Sequence, residues 1–138
     1  MKYLFVLFLA SMSSLAFAEP ITLMTFNIRN GTASDGPNSW HYRKDHVVET
    51  IRDAHPSVIA IQEAFLDQLT YLDEKLNVFT KIGQHRSGNT KGEFSGLLVD
   101  PRKLEILEQG QLWLSETPEE ISTGWDAALP RTATWVKA

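Results

Sequence analysis

The apolar residues of the chain are grouped in short, β-prone runs separated by longer amphipathic segments. Residues 21–27 and 58–63 are two such runs, and the second (VIAIQE) has the continuous apolar character of a strand that is buried on both faces. Between them, residues 40–54 place Val47 and Ile51 on one face at helical spacing, with charged residues mostly on the other. The order strand, helix, strand predicts two parallel neighbours joined by a right-handed crossover.

The signals at the two ends of the predicted helix agree with this pattern. Ser39 is the expected N-cap, and the helix should end at His55-Pro56, because a residue before proline avoids helical geometry. Residues 28–39, which precede the helix, are rich in turn-forming residues. A loop of this length inside a compact domain is typical of a functional segment.

The rest of the chain predicts one more helix and several strands. The predicted elements are a helix at 65–76, strands at 78–82, 94–99 and 132–136, polar loops at 83–92 and 115–129, and a turn at 100–102. Residues 104–107 and 111–114 are expected to form an antiparallel pair around Gly110.

Two polar side chains, Asn27 and Glu63, stand at the carboxyl ends of the two predicted parallel strands. Such ends lie on one edge of a sheet, and ligand sites in open α/β sheets form outside that edge. A carboxylate at the end of a buried strand is costly unless it faces a wet cleft or a cation. Mg²⁺ is typically held by one or two carboxylates, waters and a substrate phosphate. No cysteine is present, and no paired-histidine spacing favours zinc.

The first 18 residues have the pattern of a secretory signal peptide. Lys2 is followed by a short apolar run, and Ala16 and Ala18 form a cleavage signal that would leave Glu19 as the first residue. The alternative, an uncleaved membrane anchor, is disfavoured because the run is shorter than the ~20 residues that span a bilayer. The protein is therefore expected to be secreted or periplasmic, with no membrane anchor after cleavage, and residues 19–138 to form its domain.

The charge of the chain limits its expected partners. Removal of residues 1–18 takes away Lys2 and no acidic residue, so the net charge changes from −4 to −5. An acidic surface does not favour non-specific binding of nucleic acid, which remains possible as a substrate but is not indicated by charge. Because no cysteine is present, the exported domain must be stabilised by its core or by bound ions.

Several motifs together resemble the endonuclease/exonuclease/phosphatase superfamily, which has the fold of pancreatic deoxyribonuclease. The matching segments are MTFNIR (24–29), WHYRKDHVVETI (40–51), HPSVIAIQE (55–63), GEFSGLLVD (92–100), WLSETPE (113–119) and GWDAALPRTATW (124–135). The FN and QE motifs at this separation are specific as a pair. The resemblance implies the α/β (α+β) class, with the chain as the N-terminal half of a four-layer α/β/β/α sandwich of two sheets.

The resemblance also implies roles for individual residues. Glu63 would be the metal ligand and Asn27 its catalytic-site neighbour, whose carbonyl oxygen ligates the metal or positions a ligand water. Glu93 would orient a catalytic histidine. Arg131 would contact the substrate phosphate, and Arg29 is a second phosphate candidate, because a guanidinium binds phosphate through two parallel hydrogen bonds. The implied cofactor is Mg²⁺ or Mn²⁺, and the implied substrate is a phosphoester of unknown identity.

The sequence departs from the superfamily in its second half. No Asp-x-Asn or Asp-His motif follows Ala64, and the one Asp-His pair, Asp45-His46, lies within the predicted helix. We therefore interpret the chain as the N-terminal part of a secreted, divalent-metal-dependent phosphoesterase that cleaves phosphodiester or phosphomonoester bonds and is inactive as this fragment. The alternatives are a non-catalytic exported binding protein that keeps part of the fold, and a half that completes its site with a second chain.

Overall fold

The computed structural model describes residues 19–138, so the predicted signal peptide at 1–18 lies outside the described residues. Six strands and two α-helices follow one another in the order β1 (Leu23–Asn27), α1 (Trp40–Ala54), β2 (Val58–Ala64), α2 (Leu66–Leu76), β3 (Thr80–Ile82), β4 (Phe94–Val99), β5 (Glu108–Trp113) and β6 (Thr132–Lys137). A single 3-10 turn, Gly36–Asn38, precedes α1. The predicted α/β class is confirmed, as are the bounds of α1 and β4.

The strands form two sheets. The first has the order β1-β2-β4-β3, and the second consists of β5 and β6. Strands β1 and β2 are parallel, with Asn27 opposite Gln62, whereas β4 runs antiparallel to both β2 and β3. The predicted parallel unit is therefore present, and it places the carboxyl ends of β1 and β2 at one edge of the sheet.

The core lies between the first sheet and its two helices. Ile59 and Ile61 of β2 are fully buried in one cluster with Ile51 of α1 and Leu72 of α2. The prediction that β2 is buried on both faces is wrong, because Val58 and its same-face neighbours are only half-buried. The helices cover one face, and the second sheet meets the first at β4 and β3 rather than over β2.

The prediction of an antiparallel pair around Gly110 is also wrong. Strand β5 runs through Gly110 without a turn and pairs with β6, where Gly110 lies opposite Trp135. A Cβ atom at position 110 would lie 2.7 Å from the Trp135 indole ring. Glycine is therefore needed at this position for a close approach across the strand pair, not for a change of chain direction.

Helix α1 begins as predicted, whereas α2 begins one residue later than predicted. Ser39 occupies the N-cap position of α1 with extended backbone, but its side chain makes no capping hydrogen bond. Phe65, predicted to be the first residue of the second helix, precedes α2 and donates its N–H to Oε1 of Gln68 at 3.0 Å. No helix within residues 19–138 combines the length and apolar character needed to cross a membrane.

Candidate active site

The structure brings Asn27 and Glu63 into direct contact at the carboxyl ends of β1 and β2. The side-chain Nδ2 of Asn27 donates to Oε1 of Glu63 at 2.8 Å. The side-chain Oδ1 of Asn27 accepts the backbone N–H of Arg29 at 2.9 Å. Both ends of the Asn27 amide are thus engaged, which holds its nitrogen toward the carboxylate.

The backbone at Glu63 leaves the regular strand geometry. Glu63 has a φ of 59°, and the pairing of β2 with β4 shifts register between Ile61 and Ala64. A bulge of this kind re-aims a side chain at a sheet edge, and positive φ in a non-glycine residue is costly unless its surroundings hold it. Arg29, which follows the end of β1, also has positive φ, at 58°. Positive φ thus occurs near the carboxyl end of each strand that carries the Asn27–Glu63 contact.

The carboxylate of Glu63 is held in its ionised form. Its pKa is lowered from the ordinary value, mainly by the hydrogen bond from Asn27 and next by the backbone N–H of Asn30, which lies 3.0 Å from Oε2. The positive charges of Arg29 and Arg86 lower this pKa further, against the opposing effect of burial. Glu63 is thus a pre-oriented anion at neutral pH.

A buried glutamine fixes the loop that follows β1. Gln68 of α2 is fully buried, and its Oε1 accepts the N–H of Gly31 at 2.9 Å while its Nε2 donates to the carbonyl of Arg29 at 2.9 Å. Arg43 of α1 donates to the same carbonyl at 3.0 Å. Sequence reasoning missed Gln68, although a polar residue on the apolar face of the predicted second helix was an available signal.

Arg29 is placed near the site but is engaged by an acidic partner. Its guanidinium forms two parallel hydrogen bonds with Asp35, at 3.0 and 3.1 Å. The same contact lowers the pKa of Asp35 and raises that of Arg29. The predicted phosphate contact of Arg29 would have to use the N–H donors that Asp35 leaves available.

Among residues 19–138, neither Glu93 nor Arg131 forms a hydrogen bond with Asn27 or Glu63. Glu93 precedes β4 and forms an ion pair with Arg86 at 2.9 Å, a partner that sequence reasoning missed because it lies in a polar loop without a motif of its own. Arg131 is exposed next to the start of β6, and its carbonyl accepts the N–H of Leu114 at 2.7 Å.

The site can contribute one carboxylate and one amide to a divalent cation. Each oxygen of Glu63 accepts a single hydrogen bond, so each keeps a lone pair for a cation or for a water bound to it. Within residues 19–138, no group of three or more His, Cys, Asp or Glu side chains is arranged to hold a metal ion. These donors fit a largely hydrated Mg²⁺-type ion, which needs few protein ligands, and do not fit a closed site of the zinc type.

The sequence of the chain matches a known protein family. A sequence model described as the Endonuclease/Exonuclease/phosphatase family matches residues 24–120. A search of curated protein sequences gave no match. Family members are generally divalent-metal-dependent.

Three bacterial structures are similar to the chain over most of its length. An endonuclease/exonuclease/phosphatase from Bacteroides vulgatus is 36% identical over 84% of this chain and 45% of its own, with a TM-score of 0.79. A mannosyl-6-phosphatase from Bacteroides thetaiotaomicron is 36% identical over 85% of this chain and 45% of its own, with a TM-score of 0.79. A functionally unknown conserved protein from Enterococcus faecalis is 32% identical over 83% of this chain and 45% of its own, with a TM-score of 0.76.

The chain therefore spans less than half the length of these solved relatives. The family model covers β1 through the loop after β5, and the structural matches cover 83–85% of the chain. On these two grounds together, the chain belongs to the Endonuclease/Exonuclease/phosphatase family and has its phosphoesterase fold.

Proposed function

We propose that this chain forms the metal-binding part of a divalent-metal-dependent hydrolase that cleaves phosphodiester or phosphomonoester bonds. The observation that carries the proposal is the Glu63 carboxylate, held ionised by Asn27 and by the N–H of Asn30 at the carboxyl edge of the sheet. Membership of a family whose members generally depend on divalent metals supports the same conclusion.

In this proposal Glu63 is the ligand of Mg²⁺ or Mn²⁺. Asn27 orients the Glu63 carboxylate through its nitrogen, and the second lone pair of its oxygen can accept a hydrogen bond from a ligand water. When bound, such a cation stabilises negative charge on a phosphoryl oxygen and on the leaving oxygen. The residues of the chain contribute orientation and charge, because the anion is positioned before substrate arrives.

A phosphorylated sugar is the first substrate to test. One structural relative that is 36% identical to the chain is described as a mannosyl-6-phosphatase. The exposed guanidinium of Arg131 is available for the phosphate contact that the superfamily resemblance implies, and Arg29 would share its donors between Asp35 and phosphate. For Glu93, the predicted role of orienting a histidine now competes with its ion pair to Arg86.

The test is hydrolysis of mannose 6-phosphate and p-nitrophenyl phosphate with Mg²⁺ or Mn²⁺. Two proteins would be assayed: residues 19–138 alone, and a chimera in which these residues replace the matching part of the Bacteroides thetaiotaomicron relative. We expect the chain alone to be inactive and the chimera to show metal-dependent turnover that Glu63→Gln abolishes. Turnover that is unchanged in Glu63→Gln would contradict the metal-ligand role.

We also propose that the protein is exported, on the basis of the signal-peptide pattern in residues 1–18. Expression of the whole chain in a Gram-negative host should give a periplasmic product whose first residue is Glu19. N-terminal sequencing of that product checks the cleavage site. A cytoplasmic product that keeps Met1 would contradict it.

A further inference from the structure

The loop between β3 and β4 holds a largely buried arginine, Arg86, beside Glu93. Arg86 has a side chain that is only 16% exposed, and its Nη1 lies 2.9 Å from Oε2 of Glu93, whose side chain is 19% exposed. An arginine that is largely removed from water and keeps further N–H donors is a typical anion-binding group, since its planar guanidinium can form a bidentate contact with an anion.

The backbone of Arg86 is fixed on both sides. Its N–H donates to the carbonyl of Glu93 at 3.0 Å, and its carbonyl accepts the indole N–H of the buried Trp113 at 2.8 Å. The preceding residue, His85, is buried and bonds the carbonyl of Gly92 through its ring at 2.8 Å. These contacts hold the backbone, and the ion pair with Glu93 orients the guanidinium without any ligand, which reduces the entropy lost on binding.

The topology of the first sheet brings this arginine to the edge that carries Glu63. Ala64 of β2 pairs with Phe94 of β4, and Phe94 forms a bridge with His85. Arg86 and Glu93 face each other one residue to one side of this row, beyond the carboxyl end of β2, and Glu63 lies one residue to the other side.

We infer that Arg86 binds the substrate phosphate group and that Glu93 is the positioning residue that holds its guanidinium for this purpose. This inference rests on the proposed function, because the phosphate is that of the same site. It gives Glu93 a partner within the chain through Oε2, in addition to the histidine implied by the superfamily resemblance.

The charges of the three side chains predict an order of binding. Glu63 and Glu93 are negative and Arg86 is positive, so this group carries a net charge of −1 before a cation binds. A divalent cation changes that charge to +1, which attracts a phosphate anion. Inorganic phosphate should therefore bind more tightly in the presence of Mg²⁺ than in its absence.

The test is a titration of residues 19–138 with inorganic phosphate in saturating Mg²⁺. The quantity measured by NMR is the chemical shift of the side-chain Nε–Hε resonance of Arg86. We expect phosphate to shift this resonance, and Arg86→Gln to weaken phosphate binding tenfold or more. Arg86→Lys keeps the charge but loses the planar guanidinium, so its affinity for phosphate should lie between those of the wild type and Arg86→Gln. Arg52→Gln is the matched control, because Arg52 donates to the carbonyl of Lys75 on the outer helices and should leave phosphate binding unchanged.

An Arg86 resonance that does not move with phosphate, or an Arg86→Gln variant that folds and binds phosphate like the wild type, would overturn the inference. The resonance of the unmutated protein makes the test independent of whether the variant folds. The experiment distinguishes failure of this inference from failure of the proposed function. Cation binding at Glu63 without an effect of phosphate on Arg86 would contradict only this inference. A phosphate effect on Arg86 without cation binding at Glu63 removes the proposed metal site and leaves Arg86 as an anion-binding residue.

Discussion

The side-chain nitrogen of Asn27 lies 2.8 Å from Oε1 of Glu63 and joins the carboxyl ends of two adjacent parallel strands. This contact connects residues that are 36 positions apart in the chain. It depends on the parallel pairing of β1 with β2 and on the bulge that turns Glu63 out of the regular strand.

Replacing Asn27 by alanine should raise the pKa of Glu63. The hydrogen bond from Asn27 is the largest cause that keeps this pKa below its ordinary value, and alanine cannot replace the donor. Carboxyl ¹³C NMR titration of Glu63 measures the change directly. Asn38→Ala, in the 3-10 turn before α1, is the control and should leave the titration unchanged. A Glu63 pKa that is the same in Asn27→Ala and wild type would show that the contact does not form in solution.

Replacing Gln68 by alanine should lower the free energy of unfolding by about 2–4 kcal/mol, because three buried hydrogen bonds lose their partner. These bonds join Gln68 to Gly31, Arg29 and Phe65, and so hold the loop after β1 against α2. Urea denaturation followed by circular dichroism gives the magnitude. The exposed Gln109→Ala on β5 should change the same free energy by less than about 0.5 kcal/mol. Equal effects of the two substitutions would refute the anchoring role.

Adding a methyl group at Gly110 should destabilise the second sheet. Its Cβ would lie 2.7 Å from the Trp135 ring, and crowding of this kind costs about 1–3 kcal/mol. A double-mutant cycle with Trp135→Ala isolates the cause, because Gly110→Ala should cost less once the indole is gone. Strictly additive unfolding free energies would mean that the two residues are not in close contact.

The stabilising contribution of the Asp100 carboxylate should be lost in acid. Its side chain is 2% exposed, and hydrogen bonds from Arg102 are the main cause that lowers its pKa. A carboxylate with a lowered pKa in the folded state stabilises the fold above its unfolded pKa of about 3.9. That contribution is lost as the pH falls through the folded value.

The measurement is the urea midpoint of wild type and Asp100→Asn over a pH series. The wild type should be more stable at neutral pH, and the difference should shrink as the pH falls below about 4. Asp126→Asn, at an exposed loop position, is the control and should show little difference at any pH. A difference in urea midpoint between wild type and Asp100→Asn that is constant with pH would contradict the prediction.

Much of the first sheet could be predicted because its signals are local. The apolar spacing of α1 and the strand–helix–strand order are both visible in the sequence, and they were enough to expect Asn27 and Glu63 at one edge. The contact between these two side chains needs that topology and also the bulge at Glu63, for which the sequence gives no local signal.

The missed features depend on residues distant in the chain. Gly110 gives a turn signal by itself, and only its pairing with Trp135 explains why a glycine is needed inside a strand. Gln68 and Arg86 belong to no local motif, and their roles come from the loop carbonyl and the carboxylate that the fold brings to them. Tertiary contacts of this kind cannot be read from periodicity or propensity.

The most direct test of the account is paramagnetic line broadening by Mn²⁺ in NMR spectra of residues 19–138. We expect broadening to centre on the amide signals of Asn27, Asn30 and Glu63, to be reversed by excess Mg²⁺, and to disappear in Glu63→Gln. Broadening that centres elsewhere, or that persists unchanged in Glu63→Gln, would contradict the claim that Glu63 is the metal ligand of this site.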